Sequence, residues 1–166
     1  MGIDLNPRMI GLARQNFPAS PPLAVAFAER LPFGAGTLDG VTATSFLGCI
    51  PDAGPVFSEI QRVLRPDGHA VLTFTNRDSW LLKLNYAVGR RSGGTYHLYG
   101  ARQMVSSLER LGFEVEQVRF YGFVLTAGSW MFPPAAVARR LEGAGPFWLA
   151  TRLARNVIVV VRKDVR

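Results

Sequence analysis

The sequence has one cysteine, Cys49, and two histidines in 166 residues. A lone thiol excludes a disulfide framework and a cysteine-cluster metal site, and it suits a reducing, cytoplasmic setting. The amino terminus lacks a basic segment followed by an apolar run and a small-residue cleavage site, so no secretory signal is read there. The longest uncharged stretch, 120–138, contains Gly122, Gly128, Pro133 and Pro134. That many breakers argue against a transmembrane helix. No basic run is longer than a pair such as Arg90-Arg91 or Arg139-Arg140, which argues against nucleic acid as a partner.

What is present fits one globular domain with a real core: 48% of residues are hydrophobic and 19% are charged. The formal net charge is +7, and its distribution is uneven. Residues 1–83 hold seven Lys/Arg and seven Asp/Glu, whereas 84–166 hold twelve and five. The basic half invites an anionic partner or membrane surface, but its arginines are scattered over several elements and read first as solvated surface.

Taken in order, Gly2-Ile3-Asp4-Leu5 reads as the end of a buried strand, and Asn6-Pro7 as a helix start, because Asn caps free N–H groups and Pro is tolerated in the first turn. Met9, Ile10, Leu12 and Ala13 carry that helix to about residues 16–18. Residues 23–27 form a short apolar run, followed by a Gly-rich turn at 34–36. Residues 41–46 predict a second buried strand, 55–64 an amphipathic helix, 65–68 a tight turn and 69–75 a third strand. Alternation of strands and helices predicts an α/β fold with a mostly parallel sheet. Beyond it, 79–88 and 101–111 read as helices, with Gly112 as a C-cap, and 113–121 and 156–161 as strands. The alternation in 113–121 is loose.

The segments Gly2-Ile3-Asp4-Leu5-Asn6-Pro7-Arg8-Met9, Ala28-Glu29-Arg30-Leu31-Pro32-Phe33, Thr37-Leu38-Asp39-Gly40-Val41 and Glu59-Ile60-Gln61-Arg62-Val63-Leu64-Arg65-Pro66-Asp67-Gly68-His69 resemble, in this order, the class I S-adenosylmethionine-dependent methyltransferases of the type 11 kind. The likeness extends through Leu111-Gly112-Phe113 to the last strand. It implies a Rossmann-like, doubly wound, mostly parallel sheet with a terminal antiparallel strand, and methyl transfer from S-adenosyl-L-methionine. Asp4, at a strand end, is the expected ligand of the ribose hydroxyls; its bland alternative is an acid at a helix start. Leu5 and Met9 would cover one face of the adenine, or would be core. Where such enzymes carry an acidic adenine reader, this chain has Phe27, which leaves that role to stacking on Phe27, to the Ala28 backbone or to Glu29. Ser45 and Phe46 would face the methionine part of the cofactor. Cys49 is read as a small buried side chain rather than a nucleophile.

Methyl transfer from a sulfonium needs the two partners held in line, and a base only if the acceptor must lose a proton. The polar cluster Thr95-Tyr96-His97-Leu98-Tyr99 suits that task, so His97 and Tyr99 are the catalytic candidates, with a packing histidine as the plainer reading. Residues 122–155 are expected to form a cap over the acceptor site. Its Phe123, Trp130, Met131, Phe132, Phe147 and Trp148 suit a small apolar or lipid-like acceptor. With Arg139, Arg140, Arg152 and Arg155 the same aromatics would suit peripheral membrane contact.

A dinucleotide-type unit places its acidic ribose ligand about 20 residues after a glycine-rich turn. Only three residues precede Asp4 here, so the chain is expected to lack the first strand, its glycine-rich loop and the following helix, and to expose a sheet edge prone to association. Two further readings follow: an inactive methyltransferase-like binding or regulatory module, and a fragment of a nicotinamide-dependent oxidoreductase. The Arg65-Pro66-Asp67-Gly68 turn and the antiparallel ending argue against the second of these.

Overall fold

Asn6 and Pro7 open the first helix as their chemistry dictates. In the computed structural model, which describes residues 1–19, 21–87, 96–123, 125–127, 130–132, 137 and 147–164, the Asn6 side chain accepts from the Arg8 N–H at 2.9 Å. Pro7 begins α1 (Pro7–Asn16) where no N–H is needed. This helix connects β1 (Gly2–Asp4) to β2 (Leu23–Val25). The two strands pair in parallel, Gly2 with Leu23 and Asp4 with Val25. The pairing requires a crossover, and α1 supplies it.

A second unit follows. The strand β3 (Leu38–Ala43) leads through a 3₁₀ turn (Leu47–Cys49) to α2 (Gly54–Val63), and β4 (Leu64–Thr75) returns parallel to β3. The face of α2 that the periodicity predicts is buried in full: Val56, Phe57, Ile60 and Val63. β3 begins and ends three residues earlier than its apolar run suggests. Pairing with β4 recruits Leu38 at one end, and at the other Ser45 turns the chain at φ +59°. The expected turn at 65–68 is looped out of the ladder, since Leu38 pairs with Leu64 but Gly40 pairs with His69. Asp67, at φ +61°, closes that loop.

The helices α3 (Trp80–Ala87) and α4 (Ala101–Arg110) precede β5 (Phe113–Tyr121). Gly112, at φ +82°, ends α4 in a conformation that a side chain would strain. A hairpin of β6 (Leu125–Ala127) and β7 (Trp130–Phe132), then α5 (Phe147–Leu153), lead to β8 (Asn156–Lys163). The main sheet has the order β3-β4-β8-β5. β8 runs antiparallel to both neighbours, so the last strand lies inside the sheet rather than at its rim. The fold is therefore the mixed, mostly parallel Rossmann-like class that the sequence predicts. The two-stranded β1-β2 sheet is separate from it.

The loose alternation of β5 has a specific cause. Val115 pairs with Val161 and Gln117 with Val160, so one extra residue, Glu116, bulges out. Phe113 and Val115 face the core before the bulge, and Val118 and Phe120 face it after. The bulge also places Glu116 3.5 Å from both His69 and Arg162. Arg162 pairs as well with Asp67 at 2.5 Å and with Glu114, which ties the looped-out turn to β5 and β8.

Two polar anchors hold the peripheral pieces to this sheet. Asn76 is fully buried just beyond β4, and its amide donates to the carbonyls of Thr151 and Ala154 at 2.8 and 2.9 Å. Ser79 donates to Leu153 at 3.0 Å. Together they take up carbonyls at the end of α5 that the helix cannot satisfy itself. On α2, Glu59 accepts from the Leu31 N–H at 2.7 Å and from Arg62, while Arg62 donates to the carbonyl of Phe33 at 2.9 Å. That pair clasps the 31–33 segment onto α2.

Asn76→Ala removes the two hydrogen bonds to α5 and its vicinity and a third accepted from the Asp78 N–H, and is expected to cost about 2–3 kcal/mol, read as a lower urea midpoint at an unchanged denaturant slope. The Arg62 hydrogen bond holds the Glu59 carboxyl below its usual value of 4.5; burial opposes this and the Leu31 N–H reinforces it. A lowered folded pKa means that Glu59 contributes stability above that usual value and loses it as pH falls through the lowered one. Glu59→Gln should therefore be about 1–2 kcal/mol less stable than wild type at neutral pH. The gap should narrow in melts taken at progressively lower pH, and a constant gap would mean that the charge is not what clasps the segment.

Candidate functional site

In open α/β sheets ligands bind beyond the carboxyl ends of the strands, where side chains and backbone N–H groups converge. Asp4 closes β1 at such an end. Its carboxylate accepts from the Asn6 N–H at 2.7 Å, which fixes the side chain across the turn into α1. Around it, Leu5, Met9 and Phe27 are 55, 49 and 60% exposed, an unusual concentration of large apolar groups on a surface. Ala28 is half-buried against the core, and Glu29 is exposed beside it. A carboxylate bordered by an apolar shelf can accept a pair of vicinal hydroxyls while covering a flat ring. The clasp of Glu59 and Arg62 on 31–33 holds the chain just after Phe27, Ala28 and Glu29. Reading the sequence alone assigned no role to this pair, although Glu59 and Arg62 stand at the i, i+3 spacing that lets helix side chains meet.

A second group of residues gathers beyond β3 and β4. The Ser45 N–H donates to the Thr73 hydroxyl at 2.9 Å, so the strained residue is held by the neighbouring strand. Phe46 is half-buried against the core. Across this loop runs the segment 96–99: the His97 N–H donates to the Gly48 carbonyl at 2.7 Å, and the Arg77 N–H donates to Tyr99 at 3.0 Å. The Tyr99 phenol donates to the Ile50 carbonyl. Burial first, and the nearby Asp52 charge second, hold that phenol above its ordinary pKa. It stays protonated, which suits a clamp better than a proton acceptor. His97 is half-buried, with its backbone pinned to the loop.

Cys49 departs from its expected place. It is exposed, and Leu47 and Gly48 take the buried positions. The 3₁₀ turn rotates successive residues by about a third of a turn, so the apolar neighbour goes in and the thiol goes out. Of the expected cap, Phe123 is buried, while residues 124, 128–129, 133–136 and 138–146, which include Arg139 and Arg140, lie outside the described residues, as do Arg90, Arg91 and Thr95. Arg152 lies 5.8 Å from the ring centre of Trp80 on α3. A surface cavity of about 330 Å³ is lined by Arg14, Pro18, Pro21, Pro22 and Leu23. It sits at the amino end of β2, the end opposite to the one where such sheets bind ligands. No described helix is long and apolar enough to cross a membrane.

Known proteins share parts of this sequence and its fold. The family described as "Methyltransferase domain" matches residues 1–72. A ubiquinone/menaquinone biosynthesis C-methyltransferase of Geobacter sulfurreducens is 32% identical over 112 residues, covering 61% of this chain and 44% of that protein. A demethylmenaquinone methyltransferase of Lactobacillus johnsonii is 35% identical over 82 residues, covering 46% of this chain and 34% of that protein. The chain thus spans less than half the length of these curated relatives. A solved S-adenosylmethionine-dependent methyltransferase from Thermotoga maritima superposes on 99% of this chain and 73% of its own at a TM-score of 0.72, with 17% identity. Both sheets therefore lie within one methyltransferase fold. The chain therefore has the fold of the class I S-adenosylmethionine-dependent methyltransferases, and its residues 1–72, which hold Asp4 and its turn, match the methyltransferase domain family.

Proposed function

We propose that this chain supplies the adenosine-binding side and the acceptor wall of an S-adenosylmethionine-dependent methyl transfer to a flat, apolar acceptor of the quinone type. The observation that carries it is the Asp4 carboxylate set at a strand end beside the exposed shelf of Leu5, Met9 and Phe27. That donor set fits the nucleoside half of the cofactor: Asp4 for the ribose hydroxyls, the apolar shelf for the adenine, and Glu29 or the Ala28 backbone for its edge. When bound, the cofactor supplies an electrophilic methyl group on a sulfonium. Ser45 and Phe46 would border it, and His97 is the candidate base for an acceptor that must lose a proton. Tyr99 holds the segment that presents His97. The quinone class rests on the named activities of the two curated relatives.

The described residues contain no glycine-rich turn between a strand and a helix ahead of Asp4. Among them, β1 and β3 each pair on one edge only, and no ladder joins their two sheets. In this reading a further parallel strand fits between them, and its glycine-rich turn holds the amino-acid end of the cofactor. The competing reading, a binding module without catalysis, makes the same fold but needs no such turn.

Calorimetry with S-adenosylmethionine separates the two, on this chain and on the chain joined to a strand, glycine-rich turn and helix. Binding by the extended form supports the enzyme. Failure of both forms defeats it. In the form that binds, Asp4→Ala is expected to weaken affinity by at least about ten-fold, the cost of two charge-assisted hydrogen bonds. The melting temperature should hardly change, because Asp4 is exposed.

A further inference from the structure

Gly48 is buried in the 3₁₀ turn beyond β3, and a side chain there would displace the ring of Tyr96. A β-carbon on it would lie 2.2, 2.4 and 2.7 Å from three successive carbons of the Tyr96 ring. Near-equal closeness to three neighbouring ring carbons means that the ring lies flat over the glycine, not edge-on. Tyr96 is nevertheless 43% exposed, so the covered face is the inner one and the outer face is open. The ring is held in that pose. Its hydroxyl reaches the Ser45 carbonyl at 3.4 Å, and the next residue, His97, is tied by its N–H to the Gly48 carbonyl at 2.7 Å. Three residues on, Tyr99 is fixed to Ile50, Thr75 and Arg77. The result is a rigid aromatic plate beside the Ser45 turn, at the strand ends where such sheets bind their ligands.

We propose that the outer face of Tyr96 is the stacking surface for a flat, conjugated methyl acceptor, with Gly48 as the seat that sets its height. The proposal rests on the acceptor class given above. A plate of this kind recognises a π-face and not hydrogen-bonding edges, so it selects conjugated rings over aliphatic chains of similar apolar area. Tyr96 is here a positioning residue, and His97 follows it directly in the chain.

The test measures equilibrium binding of 2,3-dimethyl-1,4-naphthoquinone, whose blocked ring positions keep it from adding to the exposed Cys49, against 1-decanol as an aliphatic control. Wild type should bind the quinone saturably, and Tyr96→Phe should bind it within about two-fold of wild type, because the π-face is kept. Tyr96→Leu should lose about ten-fold in quinone affinity while decanol affinity changes less than about two-fold. Gly48→Ala should match Tyr96→Leu although the tyrosine is retained. Should Gly48→Ala not fold, the Tyr96 pair decides alone, since that side chain is exposed and its loss is tolerable. Absence of saturable quinone binding by wild type, or equal binding by Tyr96→Leu, overturns the proposal. S-adenosylmethionine binding is measured separately: its loss, with quinone binding still dependent on Tyr96, defeats the methyl-transfer reading and leaves the stacking surface standing.

Discussion

The antiparallel insertion of β8 between β4 and β5 is the constraint from which most of this structure follows. Val157, Val159 and Val161 are wholly buried on one face of that strand, and a strand paired on both edges has no polar backbone left to solvate. Because β8 starts beside Thr75, the Arg155 carbonyl can accept the Asn76 N–H at 2.8 Å, and Asn76 in turn seals the end of α5. The end of β4 is thereby immobilised. Residues 96–99 hang from it, and they carry Tyr96 and His97 over the Ser45 turn. The position of residues 96–99 is thus tied to valines that lie far from them in sequence.

The β1–β2 unit is attached by different physics. Among the described residues no ladder joins β1 and β2 to the main sheet. The Glu59–Arg62 pair on α2 holds the 31–33 segment through charge-assisted hydrogen bonds, and such bonds are stronger than neutral ones but weaken when the carboxylate is protonated. The 96–99 segment therefore depends on apolar burial and the 31–33 segment on a titratable clasp. An acidic medium should loosen the second before the first.

Much of this was legible in the residues. Asn6-Pro7, the apolar face of 56–63 and Gly112 each encode a local rule, and local rules survive whatever the tertiary context does with them. The position of Asp4 at a strand end was legible because the Asn6-Pro7 helix start follows it directly. The short elements were not. Three-residue strands such as β6 and β7 contain too few positions to show a period of two, and the parity switch at Glu116 hides the true inward face of β5.

The sequence by itself determined the α/β class, the order of its long elements and the placing of Asp4 at a strand end before a helix, because these depend on periodicity and capping within single segments. Only the tertiary structure decided that β8 lies inside the sheet, that Cys49 faces out, that Glu59 and Arg62 clasp a loop nearly thirty residues away, and that Tyr96 lies flat on Gly48. All but the outward turn of Cys49 are contacts between residues distant in the chain. Such contacts leave no periodic trace in sequence, since their partners are chosen by packing after the elements have formed.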